Sequence, residues 1–304
     1  MWAKARQLLS HTHLLVEASQ ISAPRHVPAT ARGTATAASS ACIASGKGGT
    51  GKSLVSASLA TLLGEEGRTL LLDADLGVGN AHIMQDVSPP LSIADVVEDR
   101  CSLRSILCPC RKGVDLLPAG SGYAHLATLD PEVLHRLALD IEALESEYRH
   151  LVVDSAAGIS NQTLAFAAAA DVVVVVTTVD VTAMTDAYAL LKVLWQRRAL
   201  ATPLLVVNRA SSVDEARTAA ERICGVAHKF LGREPRYIGH LPEDRAAFRC
   251  VQRRLPVVVG EPESELATAL RRLALAVRAE CARVGAQGLG RNLASRVLYA
   301  PRAG

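Results

Sequence analysis

Aromatic residues make up only 3% of this 304-residue chain, which leaves few side chains on which nucleic-acid bases could stack. Charge of one sign is also lacking in excess. Thirty-three Lys and Arg against 30 Asp and Glu give a formal +3, too little for a strong electrostatic hold on a polyanion, and no specific nucleic-acid partner is expected. Long hydrophobic runs are missing. The best, between Asp171 and Thr177, is far too short to cross a bilayer and reads as a central strand. A secretory core is missing too, since Leu14-Leu15-Val16 is cut off by Glu17 and no convincing cleavage site follows. Few acids and abundant Ser, Thr and Arg give residues 1–40 some of the composition of an organelle transit peptide, but a polar tail is the favoured reading. The seven cysteines are odd in number and irregularly spaced, as free thiols in a reducing cytoplasm would be. Cys108 and Cys110 flank Pro109, yet no second pair stands at zinc-finger spacing, so no structural metal is expected. His11 and His13 read as exposed tail residues.

Ala, Leu and Val dominate instead, and the hydrophobic fraction of 49% is ample for a core. Strand and helix signals alternate, which predicts an α/β fold with a doubly wound, mostly parallel sheet and helices on both faces. Three regions are expected: 1–40, a short helix over Trp2–Val16 and a flexible Ser/Ala/Thr/Pro-rich linker; 41–284, the folded domain; and 285–304, a basic tail. Within the domain, strands are predicted at Ala41–Ala44, Thr69–Leu72, Val114–Leu117, Leu151–Val153, Val172–Val176, Leu204–Val207 and Tyr237–Ile238. Helices are predicted after residue 53, near Ile93–Glu98, and over Pro131–Tyr148, Thr182–Trp195, Asp214–Phe230 and Ser264–Val284. There is no internal repeat.

Gly46-Lys47-Gly48-Gly49-Thr50-Gly51-Lys52-Ser53 satisfies the phosphate-loop pattern G-x-x-x-x-G-K-[ST]. It follows a short apolar run and opens onto Leu54, Ala57, Leu59, Ala60, Leu62 and Leu63 at helical spacing, the strand-loop-helix context that the motif demands. The pattern implies ATP and Mg²⁺: glycines bend the backbone so that its N–H groups face the phosphates, Lys52 neutralises the β- and γ-phosphates, and the Ser53 hydroxyl ligates Mg²⁺. Lys47 sits too early to be the usual phosphate lysine. This spelling resembles the deviant Walker A of the MinD/ParA ATPases, in which the early lysine reaches the nucleotide of the partner subunit.

Carboxylates near a phosphate loop hold Mg²⁺ or orient water. Asp154, after an apolar run, is a candidate to hold Mg²⁺ through water. Asp73 and Asp75 end the strand after the loop helix, and their alternate spacing sends both side chains to one side. Asp75 is assigned to orienting the attacking water and Asp73 to the Mg²⁺ shell. Gly158, in the segment Asp154–Ser160, suits a switch loop whose N–H meets the γ-phosphate. Asn208 ends a strand where its carboxamide could read the adenine edge, and Pro242, in Leu241-Pro242-Glu243-Asp244, belongs to a segment that could close over the base.

Ser45–Ser53, Asp73–Asn80 and Asp154–Ser160 together resemble the FlhG/FleN branch of MinD-type ATPases, as do Thr177-Thr178, Thr185–Leu190, Val206–Asn208 and Val251–Pro256. The resemblance covers about Cys42 to Val259. It implies an ATP-dependent homodimer, weak and partner-stimulated ATPase activity, and a cytoplasmic protein that becomes peripheral on the inner face of the cytoplasmic membrane when ATP-bound. It also implies control of flagellar number and placement through an FlhF-like GTPase and the flagellar switch or C-ring proteins. Thr50 and Ser53 replace the commoner valine and threonine, and Ser53 keeps the hydroxyl that Mg²⁺ needs. At the N-terminus Ala3, Lys4 and Leu9 stand where family members often carry Asp, Gln and Arg, so activation of FlhF by this segment is not expected. Beyond Glu280 there is no acidic residue. Leu289, Leu293 and Val297 recur at helical spacing with Arg291 and Arg296 interspersed, as a short basic membrane-binding helix requires.

Rival readings are a division-site MinD, with the same chemistry and a different partner, and a ParA-like positioning ATPase or DNA-binding scaffold, which should show a basic surface belt. An iron-protein or Mrp-type carrier needs a cysteine pair that Cys224, Cys250 and Cys281 do not supply. A bacterial tyrosine kinase needs a C-terminal tyrosine cluster where only Tyr299 stands.

Overall fold

The computed structural model describes residues 38–77, 79–111, 113–120, 131–197, 202–286 and 293. Strands and helices alternate along them: β1 (Ser39–Ser45), α1 (Lys52–Gly64), β2 (Thr69–Ala74), α2 (Ala81–Met84), α3 (Ile93–Val97), β3 (Cys108–Pro109), β4 (Val114–Leu117) and α4 (Pro131–Glu145). There follow β5 (His150–Ala157), α5 (Asn161–Ala169), β6 (Val172–Thr178), α6 (Val181–Gln196), β7 (Leu204–Ala210), α7 (Val213–Leu231), β8 (Arg236–Pro242), α8 (Arg245–Gln252), α9 (Val257–Gly260) and α10 (Glu265–Ala286). The strands form one sheet in the order β3-β4-β2-β5-β1-β6-β7-β8. Every pairing is parallel except that of β3 with β4.

The side-chain period of two sorts each strand between two cores. Cys42, Leu70, Leu72, Val153, Val175 and Val207 face α4 to α7. Ile43, Leu71, Val152, Val174 and Val206 face α1 and α10. Local chemistry sets the helix ends. Before α7 the Ser212 hydroxyl accepts the Glu215 N–H at 3.1 Å, Asp214 and Glu215 favour the positive end of the helix, and Gly232 closes it in the left-handed region.

The predicted strands and long helices are present, with ends shifted by a few residues. The domain start moves from Ala41 to Ser39, because Ser39 and Ser40 already pair with His150 and Leu151; the linker expected to run to Ser40 is therefore strand at its end. The helices α2, α5, α8 and α9 and the strand β3 were not read from the sequence. The predicted helix over Trp2–Val16 lies outside the described residues, as do Leu289, Arg291, Arg296 and Val297 of the tail. Leu293 is described, and it is buried (1% exposed) in the core that α4 covers.

All seven cysteines are free thiols. Among the described residues no helix is long and apolar enough to cross a membrane. Chain reversal occurs at β1: β1-α1-β2 runs to one side of the sheet and β6 follows on the other, so the crevice at the strand C-termini opens beside β1. Leu71, fully buried in the α1 core, tests this packing. Leu71→Ala should lower stability by about 2–5 kcal/mol, read as a lower urea midpoint with an unchanged slope.

Candidate functional site

The phosphate loop leaves β1 at Ser45, whose hydroxyl donates to the Lys47 carbonyl at 2.6 Å. Glycine is required at two points. A Cβ on Gly46 would lie 2.0 Å from the Asp186 carbonyl oxygen of α6, and one on Gly51 would lie 2.3 Å from Asn208 Nδ2. Gly51 also has φ +96° as it hands the chain to α1. The first turn of α1 has neither a side-chain cap nor an acidic residue, so its N–H groups are left for an anion. Gly48 and Gly49 are exposed at the tip and Thr50 is buried.

Lys52 is buried beneath the loop (8% exposed). Burial pulls its ammonium below the ordinary lysine range, while Asp154 and then Asp75 oppose that fall. The carboxylates meet because β2 and β5 are neighbours with Asp73 opposite Asp154. Burial pushes Asp154 up to about 6, against hydrogen bonds from the Ser53 and Ser56 hydroxyls, the latter at 2.9 Å. Ser56 was missed in the sequence, although it follows Ser53 by three residues on the same helix face.

Asp73, fully buried, is held well above the carboxylate range by burial and then by Asp154. Its oxygens accept the Asp75 N–H at 3.2 Å and the Ala81 N–H at 3.0 Å. Asp73, expected in the Mg²⁺ shell, here ties down the loop that carries Asp75, and Ser53 and Asp154 are the more direct metal candidates. Asp75 is half-buried and close enough to act electrostatically on Lys52 and Asp154.

Three further residues have unexpected partners. Lys47 is exposed and donates to the Thr182 hydroxyl of α6 at 2.7 Å; sequence reading had Thr182 only as a helix start. The Gly158 N–H, expected at the γ-phosphate, donates to the Ser45 carbonyl at 2.9 Å. It must leave that bond before it can meet a ligand. Asn208, expected to read adenine, donates from Nδ2 to the Thr50 carbonyl at 2.7 Å and accepts the Arg209 N–H through Oδ1 at 2.9 Å. Its carboxamide therefore holds the phosphate loop. Pro242 ends β8 beside Asn208, where Asn208 is opposite Leu241. It lines a groove of about 520 Å³ between β8 and α10, together with His240, Leu241, Thr268 and Leu273.

These residues fit a magnesium nucleotide. The uncapped N-terminus of α1, the glycine loop and Lys52 form an anion cradle, and the Ser53 hydroxyl with the Asp154 carboxylate is a hard oxygen donor pair suited to Mg²⁺. When bound, the ion neutralises charge on the phosphates. Loss of the Asn208 side chain leaves the Thr50 carbonyl and Arg209 N–H unpaired. Asn208→Ala should weaken ATP binding by about 5- to 150-fold, the equivalent of about 1–3 kcal/mol, in calorimetric titration.

Comparison with known proteins agrees with this geometry. The CobQ/CobB/MinD/ParA nucleotide binding domain family matches residues 41–257. The antiactivator FleN of Pseudomonas aeruginosa is 35% identical over 233 residues, 76% of this chain and 83% of that protein. The flagellum site-determining protein YlxH of Helicobacter pylori is 34% identical over 214 residues, covering 70% and 72% of the two chains. Among solved structures, the septum site-determining protein MinD complexed with Mg-ADP from Pyrococcus horikoshii OT3 superposes with a TM-score of 0.66 at 25% identity, over 79% of this chain and 96% of that one. The chain therefore belongs to the CobQ/CobB/MinD/ParA nucleotide-binding family, as an Mg²⁺-dependent ATPase of the FlhG/FleN type.

Proposed function

We propose that this ATPase is a dimerising switch that regulates flagellar number and placement, a monomer with ADP or no nucleotide and a membrane-associated homodimer with ATP. The observation that carries the reading is Lys47. A lysine inside a phosphate loop that is exposed and bonded to Thr182 of α6 is accessible to a second copy, which it would serve as an arginine finger supplied in trans does. Exposed Val181 and Ile159 (70% and 49%), one beside Thr182 and one beside Gly158 in sequence, give the strand-end side apolar surface for such a partner to cover. The flagellar assignment is supported by the likeness to FleN and YlxH, and the expected partners are an FlhF-like GTPase and the flagellar switch or C-ring proteins.

In this reading the loop N–H groups and Lys52 bind the phosphates, Ser53 and Asp154 hold Mg²⁺, and Asp75 orients the attacking water. Lys47→Ala should fold normally but fail to dimerise with Mg-ATP, whereas Asp75→Ala should dimerise yet hydrolyse poorly. Light scattering on a sizing column, in Mg-ATP and in Mg-ADP, reads the dimer for both variants, and phosphate release reads the hydrolysis. A Lys47→Ala protein that dimerised like wild type would refute the trans role.

Membrane contact by the tail requires movement of Leu293. Its side chain is buried and its N–H donates to the Glu145 carboxylate of α4 at 3.0 Å. Glu145→Ala weakens that attachment and should raise nucleotide-independent sedimentation with anionic liposomes. Deleting residues 289–304 should abolish ATP-dependent sedimentation, and equal sedimentation of the truncated and full-length proteins would sink the membrane role.

A further inference from the structure

Arg209, at the end of β7, lies in the left-handed region at φ +55°. A residue with a side chain stays there only when its surroundings hold it. It is also the extra residue at a bulge: Asn208 is opposite Leu241 and Ala210 is opposite Pro242, leaving Arg209 without a counterpart on β8. Bulges beside active sites re-aim a side chain. Strand alternation puts Asn208 on the α1 side, like Val206; the bulge then breaks the alternation, so that Ala210 lies on the α4 to α7 side with Val207, and the Arg209 side chain reaches Asp180 at the start of α6.

Two contacts hold the bulge. The Arg209 N–H donates to Asn208 Oδ1, and Asn208 Nδ2 donates to the Thr50 carbonyl of the phosphate loop. The guanidinium comes within 3.9 Å of the Asp180 carboxylate, the N-cap residue of α6. Asp180 is fixed in turn, because the Thr178 hydroxyl donates to its Oδ2 at 2.8 Å. Two residues further on, Thr182 accepts Lys47, and at Asp186 the backbone of α6 lies against Gly46. The contacts close a ring: Thr50, Asn208, Arg209, Asp180, the first turn of α6, Thr182, Lys47, and back through the loop to Thr50.

We propose that Arg209 is a positioning residue for the ATPase reaction, tying the start of α6 to the phosphate loop and thereby fixing the direction in which Lys47 projects toward a second copy of the chain. The inference rests on the trans reading of Lys47. An exposed ion pair at this distance is weak by itself. Here both ends are anchored, the guanidinium by its bulge and the carboxylate by Thr178, so little freedom is lost when they meet.

Arg209→Gly is the direct test, because glycine adopts φ +55° without strain and the fold is retained. ATP KM should stay within about twofold of wild type while kcat and the ATP-dependent dimer fraction fall by about tenfold. Asp180→Asn should show the same split, and Arg209→Lys should restore part of the loss by keeping the charge. A strained residue with only a structural role would alter the melting temperature and leave kcat alone. If the wild type dimerises in Mg-ATP and both Arg209→Gly and Asp180→Asn match it in kcat and mass, the positioning role is overturned. A raised KM with unchanged kcat would overturn it as well, by placing the effect in nucleotide binding. A wild type that stays monomeric in Mg-ATP would instead sink the switch reading, and this role with it.

Discussion

The constraint on which the site depends is the burial of unlike numbers of opposite charges at the ends of β1, β2 and β5. Asp73, Asp75 and Asp154 converge near a single buried cation, Lys52. Fully ionised, these four groups carry a formal −2, and the fold resists that state. Burial and mutual repulsion lift Asp73 and Asp154 toward their protonated forms, as expected when carboxylates lie together away from water. A divalent cation is the simplest group that restores neutrality. Ser53 and Ser56, which donate to Asp154, moderate the imbalance without removing it. The cluster is therefore a place where ligand binding and folding stability are linked, since a ligand that matches the charge binds the native state and not the unfolded chain.

The same strand ends position the parts that move in the proposed switch. β5 gains an extra residue between Asp154 and Ala157 relative to β1, and this carries the Gly158 N–H back to the Ser45 carbonyl. In that arrangement the switch segment is an extension of the sheet, closed on the first residue before the phosphate loop. A phosphate that competes for the Gly158 N–H competes with a backbone hydrogen bond worth about 0.5–1.5 kcal/mol net, a barrier small enough for one ligand contact to reverse. Asp73 acts in the opposite sense. By accepting the N–H groups of Asp75 and Ala81 from within the core, it keeps the water-orienting candidate on a fixed loop while Gly158 is left free to exchange partners.

Much of this was legible in the sequence, and the missing part has a common cause. Contiguous patterns were sufficient for the parallel strands, the long helices and the phosphate loop, because periodicity and glycine spacing are local properties. They also brought Asp73, Asp75 and Asp154 to one edge, since strands of a parallel sheet end together. What they could not give was the second partner of each group. Asn208 looked like a base reader because a strand-end carboxamide has both a donor and an acceptor, yet those atoms meet Thr50 and Arg209. Ser39 and Ser40 looked like linker because serine is common in linkers; the Asp171 carboxylate, which accepts the Ser40 N–H and hydroxyl at 2.8 and 2.9 Å, makes them strand. Leu293 had the spacing of a surface helix, and only tertiary contact reveals that it is covered. Contacts over 100 residues apart in the chain leave no trace in a local pattern.

Two groups that the proposed switch needs outside the protomer, Lys47 and Leu293 of the tail, are both held against it. Their restraints differ in strength. An exposed lysine-to-hydroxyl bond such as Lys47 to Thr182 is worth about 1 kcal/mol, far less than an ammonium gains beside phosphates at a water-excluded interface, so it steers the lysine without resisting its transfer. A buried leucine contributes about 1.5–3 kcal/mol, and the Glu145 bond adds to that. A single short amphipathic segment on a bilayer offers a gain of the same order, which leaves one tail close to balance between core and membrane. Pairing two chains changes that balance, because the second tail engages a surface to which the first already confines it. In the proposed switch, membrane contact is then a property of the dimer, and the burial of one leucine sets the threshold that dimerisation must exceed.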